Sequence, residues 1–260
     1  MAGSEERRPR RPGARWRRAA PTPGLLAALV LAGCGGTGEG AAMGAPTSAQ
    51  TSAAQTSAAP TSAARTSGPP AGAGSATVVD LDGDGRPDTL WLADVDGVRT
   101  LGVTTTGHGT QSVPFTSAAP QAASASAAIL QGGQPVVLLD TGRSVLLYGY
   151  RVENPGLVEL TNPQGQQYTF GLGFTDVGTG LQCRPGDDGL DLYGVDARSG
   201  PDERWTVTRT RVVVDVNRSS AHNDATTTVV SGVTADDPAV AGAHGTVCGD
   251  DSGVADEPQD

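Results

Sequence analysis

Lysine is absent from this chain of 260 residues, so all 18 of its basic residues are arginines. Acidic residues number 28, which gives a formal net charge of -10. The missing lysine excludes a phosphate-binding glycine loop that ends in Lys. The acidic balance argues against general nucleic-acid binding, because such binding needs clustered positive charge to release counterions from phosphates.

Aromatic residues make up only 4% of the chain, whereas Gly and Pro occur 37 and 18 times. Large rings that fill a core are scarce and helix breakers are common, which argues against a densely packed helical enzyme. The three histidines, His108, His222 and His244, lie far apart in loop-like contexts. Neither Gly-x-Ser-x-Gly nor His-Glu-x-x-His occurs. We therefore predict no catalytic residues.

A glycan or cell-wall hydrolase is the enzymatic alternative, because such enzymes use two carboxylates about 5 to 10 Å apart. Adjacent acids that could serve this chemistry are Asp187-Asp188, Asp236-Asp237 and Asp250-Asp251. Such pairs are also typical of solvated loops, which is the interpretation we favour.

The N-terminal segment has the order of an export signal, with basic residues before an apolar run. Seven arginines precede the run from Gly24 to Ala32. This run is too short to span a bilayer, which needs about 20 residues. It ends in Leu31-Ala32-Gly33-Cys34.

Those four residues resemble the lipobox of bacterial lipoproteins. The resemblance implies a signal peptide over residues 1–33, cleavage before Cys34 and a diacylglyceryl group on its sulfur. A protein with such an anchor would stay on the extracytoplasmic face of the cell membrane, because two or more acyl chains hold firmly.

Residues 34–75 have the composition of a disordered tether rich in Ala, Thr, Ser, Pro and Gly. No Leu, Ile, Val, Phe, Tyr or Trp occurs between Leu31 and Val78. Such a segment cannot offset the entropy of ordering its backbone, about 1 to 2 kcal/mol per residue. We expect a flexible linker, with an O-glycosylated stalk as the open alternative.

Residues 76–250 contain short runs of β-branched and aromatic residues bounded by Gly, Asp, Asn or Pro, which predict strands. The runs are Ala76–Val79, Thr89–Ala93, Val98–Val103, Pro135–Leu139, Ser144–Tyr150, Leu190–Val195 and Trp205–Val216. The Ala/Ser-rich residues 116–128 predict a loop or one short helix. We expect an all-β domain followed by an acidic disordered tail over residues 251–260.

One acidic stretch between two predicted strands has the spacing of a cation-binding loop. Its sequence is Asp80-Leu81-Asp82-Gly83-Asp84-Gly85-Arg86-Pro87-Asp88. Carboxylates at positions 1, 3, 5 and 9 offer hard oxygen donors, and Gly at position 6 permits a sharp turn. Position 12, where an EF-hand has a bidentate Glu, is Trp91. Strands rather than helices flank the loop, so an EF-hand is excluded.

A loop of this kind between two strands resembles the calcium hairpin of FG-GAP or VCBS repeats, found in integrin-like β-propellers and secreted bacterial proteins. The resemblance implies Ca²⁺ bound by the side chains of Asp80, Asp82, Asp84 and Asp88 and by the backbone carbonyl of Arg86. An acidic turn that binds nothing is the alternative.

Three similar units follow one another, each with an Asp after an apolar strand, at Asp94, Asp140 and Asp196. Their separations of 46 and 56 residues are near the roughly 40 to 50 residues of propeller blades. Closed propellers typically have four to eight blades. The expected fold is therefore a set of blade-like antiparallel hairpins, as a small or incomplete propeller or as a compact β-sandwich.

If Cys34 carries lipid, Cys183 and Cys248 remain as a pair outside the reducing cytosol, and we predict a disulfide between them. Free thiols or a soft-metal site are less favoured. Together these features predict a non-enzymatic lipoprotein that displays a calcium-stabilised β-domain for binding a protein or glycan. A passive envelope spacer is a further alternative.

Overall fold

The short runs of β-branched and apolar residues form antiparallel strands joined by Gly- and Asp-rich turns. A computed structural model describes residues 68–172, 178–248 and 253–259, all within one compact unit, Ala59–Asp260. The predicted signal peptide, Cys34 and the tether up to residue 67 lie outside the described residues. Among the described residues, no helix is long and apolar enough to cross a membrane.

The first sheet has four strands that follow one another in sequence and in space, each antiparallel to the next. They are β1 (Gly74–Val78), β2 (Asp88–Val95), β3 (Val98–Thr105) and β4 (Gly109–Pro114). This meander is the first of the predicted blade-like units.

The second sheet combines the other two predicted units in one sheet of 11 strands. Its strands are β5 (Ser124–Leu130), β6 (Gln134–Asp140), β7 (Ser144–Arg151), β8 (Gly156–Glu159), β9 (Thr169–Gly171), β10 (Gly178–Pro185), β11 (Leu190–Ser199), β12 (Trp205–Val214), β13 (Ala221–Val233), β14 (Thr246–Val247) and β15 (Ala255–Asp256). One short helix, α1 (Pro238–Gly242), follows β13. The all-β prediction is confirmed, but units two and three do not form separate sheets.

The central strands of the second sheet are buried on both faces. The side chains of Val137 and Leu139 join a core shared with the first sheet, whereas Val136 and Leu138 join a core on the opposite face. This two-sided burial explains why β6 is a continuous apolar run rather than an alternating one. The shared core places the second sheet next to the β1–β2 hairpin and its acidic loop.

Residues 124–130 form strand β5, so the prediction of a loop or a short helix over residues 116–128 was wrong for residues 124–128, whereas residues 116–123 form a loop. The small side chains of Ala125 and Ala127 are fully buried in the core between the sheets. β5 contacts β1 and β2 of the first sheet as well as its neighbour β6. The strand is therefore favoured by tertiary packing rather than by β propensity.

The predicted disulfide is confirmed. Cys183 in β10 and Cys248, directly after β14, are bonded, with their Cα atoms 4.5 Å apart. The bond fastens the C-terminal region to the second sheet at a point where β14 and β10 pair for only two residues.

The C-terminal segment, expected to be disordered, instead contributes β15, which pairs with β5. Arg99 of β3 donates from Nε and Nη2 to the two carboxylate oxygens of Glu257, at 2.6 and 2.5 Å. Glu257 also accepts the backbone N–H of Ala123 at 2.9 Å. Acidity alone suggested a solvated tail, but Ala255 is fully buried. The segment therefore links the two sheets.

We expect Glu257→Ala to lower the free energy of unfolding by about 2 kcal/mol, between the values for exposed and buried ion pairs. The side chains of Arg99 and Glu257 are only 24% and 12% exposed, so Arg99 would lose its partner in a partly dry environment. Chemical denaturation would measure the change.

Arg198→Ala is the control, because Arg198 is 70% exposed in its ion pair with Asp196. We expect Arg198→Ala to lower the free energy of unfolding by less than about 1 kcal/mol. Equal losses in the two variants would contradict a fastening role for Glu257.

Candidate metal centre

The acidic loop connects β1 to β2 at one end of the first sheet, where Val78 and Asp88 face each other as paired residues. Leu81 points into the core between the sheets and is 1% exposed. This apolar side chain fixes the start of the loop, so the carboxylates on either side of it lie at the edge of a packed core.

Asp80 organises the loop by accepting hydrogen bonds from its backbone. Its Oδ1 accepts the N–H of Gly83 at 2.7 Å, and its Oδ2 accepts the N–H of Gly85 at 2.7 Å. Gly83 and Gly85 have φ angles of 78° and 83°, in the left-handed region that glycine adopts at little cost. The turn predicted at Gly85 is therefore present, and Gly83 provides a second one.

Three of the four predicted carboxylates converge in space. One oxygen from each of Asp80, Asp82 and Asp88 lies within 4.8 Å of the others. Calcium binds oxygens at about 2.3 to 2.6 Å, so two ligands on opposite sides of one ion lie about 5 Å apart. The spacing of the three oxygens fits a single ion of this size.

Two oxygens of the cluster are buried without a hydrogen-bond partner, namely Oδ2 of Asp82 and Oδ1 of Asp88. These residues are only 8% and 2% exposed. A buried carboxylate oxygen that lacks a partner is unfavourable by about 1 to 3 kcal/mol or more. Two such atoms on residues of one carboxylate cluster fit ligands of a cation.

The surroundings of Asp88 disfavour a negative charge on its carboxylate. The pKa of Asp88 is raised from 3.8 to about 6. Burial is the largest cause, and the negative charges of Asp82 and Asp80 add to it, whereas the backbone N–H of Leu81 opposes it. Asp88 is therefore held as an anion in an unfavourable place at neutral pH, where a bound cation would offset the charge.

Of the other two predicted ligands, Asp84 lies outside this group of three carboxylates, and Arg86 was predicted to bind through its backbone carbonyl rather than its side chain. Both residues are exposed. Oδ1 of Asp84 accepts the backbone N–H of Arg86 at 2.8 Å, so in this arrangement the carboxylate supports the turn.

Sequence reasoning did not find three residues that lie near the loop, Thr105, Gly107 and Tyr150. A Cβ added to Gly107 would lie 3.1 Å from Oδ2 of Asp82. The charges of Asp82 and Asp88, together with burial as the largest cause, raise the pKa of Tyr150. No local motif marks these residues, because only the packing of the two sheets brings them near the loop.

The adjacent acids considered for hydrolysis have local structural roles where the structure describes them. Asp237 caps α1 by accepting the N–H of Ala239 at 2.8 Å. Asp188 accepts the N–H of Gly132 at 3.4 Å. Asp250 and Asp251 lie outside the described residues.

Comparison of the chain with models of known protein families, with curated proteins and with solved structures found no match.

In a chelator and without added metal, Asp88 should make the protein less stable as pH rises from about 4 to about 6. Its pKa is 3.8 as a reference and about 6 in the folded protein, so over this interval the folded state binds more protons than the unfolded state. Stability then falls with rising pH until both states are ionised.

Denaturation curves of the wild type and of Asp88→Asn, measured across this range, isolate the contribution of Asp88 from other titrating groups. The difference between the two curves should change with pH. A stability difference that stays constant with pH would refute the raised pKa of Asp88.

Proposed function

We propose that the protein is a membrane-anchored extracytoplasmic lipoprotein that displays a calcium-stabilised β-domain for binding a protein or glycan. The observation that supports this most is the convergence of Asp80, Asp82 and Asp88, with two of their oxygens buried and unpartnered. The resemblance of the loop to the FG-GAP or VCBS calcium hairpin supports the same metal.

The donor set favours a hard cation. Only carboxylate oxygens meet in the cluster, and hard cations such as Ca²⁺ prefer oxygen ligands over nitrogen or sulfur. Binding through a loop with two left-handed glycines suits the flexible geometry of Ca²⁺ better than the strict octahedron of Mg²⁺. We therefore assign the site to Ca²⁺, with Asp80, Asp82 and Asp88 as ligands and Asp84 and the carbonyl of Arg86 as candidates to complete the shell.

The cation would have a structural role. It would neutralise carboxylates that the core holds in place through Leu81, and so stabilise the β1–β2 hairpin. An affinity of about 10⁻⁴ to 10⁻³ M is typical of extracellular calcium modules. Calcium outside a cell would then keep the domain folded.

The anchoring half of the proposal depends on the lipobox ending at Cys34. The Cys183–Cys248 disulfide supports an oxidising location outside the cytosol. The segment between Cys34 and the first sheet would act as the tether that holds the domain away from the membrane.

The domain has a surface feature that suits a polar partner. An open groove of about 220 Å³ is lined by residues that include Tyr168, Phe170, Asp196, Thr210 and Asn223. Apolar rings beside a carboxylate, a hydroxyl and an amide offer both packing and hydrogen bonds. A peptide segment or a sugar unit fits this mixture.

Calcium at ten to a hundred times its Kd should stabilise the wild type by about 1.4 to 2.7 kcal/mol, which raises Tm by about 3 to 10 °C. Asp82→Asn and Asp88→Asn should each abolish most of this rise, because each removes a charged ligand while keeping the shape of the side chain. Thermal melts in calcium and in chelator measure it.

Asp94→Asn is the matched control, since Asp94 is an exposed residue near the end of β2 whose Oδ1 accepts the N–H of Gly97 at 2.6 Å. This variant should keep the full response to calcium. A wild-type melt that calcium leaves unchanged would rule out the proposed metal.

The lipid anchor predicts that cells expressing the protein incorporate labelled palmitate into it, and that Cys34→Ala abolishes the labelling. Cys183→Ala provides the control, because it removes a cysteine without touching the lipobox. Labelling that persists in Cys34→Ala would contradict anchoring through this residue.

A further inference from the structure

Tyr150 on β7 has a buried hydroxyl that the core does not satisfy. The residue is 0% exposed, and its hydroxyl has no hydrogen-bond partner of good geometry. Buried polar groups without a partner are rare in native proteins, and each one calls for a physical explanation. A phenylalanine would fill the same space without this cost, so packing alone does not explain the hydroxyl.

Residues around Tyr150 connect it to the acidic loop. The residue shares the core between the sheets with Val78 and Leu81, which lie at the start of that loop. The Thr105 side chain lies beside its hydroxyl and opposes the shift of its pKa. The hydroxyl of Thr105 in turn accepts the backbone N–H of His108 at 3.0 Å, in the turn whose Gly107 abuts Oδ2 of Asp82.

Three buried polar atoms without partners therefore belong to one region, namely Oδ2 of Asp82, Oδ1 of Asp88 and the hydroxyl of Tyr150. Two are acceptors on the first sheet and its loop. The third is a donor on the second sheet. At neutral pH the phenol is protonated. Burial is the largest cause that raises its pKa, and the charges of Asp82 and Asp88 raise it further. The hydroxyl can donate one hydrogen bond, and a carboxylate oxygen is a strong acceptor for it.

We propose that Tyr150 is a positioning residue of the metal centre, whose hydroxyl donates its one hydrogen bond to a buried carboxylate oxygen, Oδ2 of Asp82 or Oδ1 of Asp88, when these residues bind the cation. This inference rests on the proposed calcium site and extends it across the core. Calcium bound by the first sheet then also fixes β7 of the second sheet. The cation would couple the two sheets rather than stabilise one hairpin alone.

Residues that orient metal ligands through hydrogen bonds typically change metal affinity 10- to 100-fold when they are removed. Tyr150→Phe keeps the ring and removes only the hydroxyl. We expect it to weaken calcium binding roughly tenfold, and to leave stability in chelator unchanged or higher, because an unsatisfied buried group has gone.

Tyr148→Phe is the matched control. Tyr148 lies two residues earlier on β7 and is 1% exposed in the same core, but its neighbours are Gln167 and Glu159 rather than the loop carboxylates. It should leave the calcium affinity unchanged.

Calorimetric titration of Ca²⁺ into the wild type and both variants gives the affinities, and hydrogen exchange with and without Ca²⁺ reports the coupling. In the wild type, calcium should slow amide exchange in both the loop and β7. In Tyr150→Phe, the protection should remain in the loop and decrease in β7.

Equal affinities for the wild type and Tyr150→Phe, with β7 protection unchanged, would overturn the role of Tyr150 while leaving the calcium site intact. A wild type that binds no calcium would instead overturn the proposed function on which this role depends. Weaker binding in Tyr148→Phe as well as in Tyr150→Phe would point to general loosening of the core and also count against the proposal.

Discussion

Carboxylates held together at the edge of an apolar core are the constraint on which the rest of this structure depends. The loop between β1 and β2 has to place Leu81 in the core, and this brings Asp82 and Asp88 out of water beside Asp80. Like charges repel strongly at such distances when water is excluded. A cation would relieve the repulsion that strains the metal-free loop, so in our proposal fold stability and metal binding depend on the same carboxylates.

The two sheets pack together through contacts that are distant in sequence. The ion pair between Arg99 and Glu257 fastens the C-terminal segment across them, and Tyr150 approaches the loop from the second sheet. These polar contacts add to the apolar core that the two sheets share.

The sequence predicted the features that depend on local chemistry. Alternating and β-branched runs indicated most of the strands, the spacing of Asp80, Asp82 and Asp88 located the acidic cluster, and the cysteine count indicated the disulfide. Gly85 was expected to permit a sharp turn, and its positive φ agrees.

The features that sequence reasoning missed arise from long-range packing. β5 is built of Ala and Ser, whose β propensity is low, and it is a strand because its small side chains fit between two sheets. Glu257 in the acidic tail finds a partner 158 residues away. The merging of two predicted units into one sheet, and the position of Tyr150 behind the loop, also depend on pairings that no local pattern encodes.

Equilibrium dialysis, with the metal content measured afterwards, would decide whether the three converging carboxylates form a calcium site. We predict one Ca²⁺ per chain at neutral pH and millimolar calcium, and close to none in Asp88→Asn. A wild type that retains no calcium, or an Asp88→Asn variant that retains as much as the wild type, would contradict this prediction.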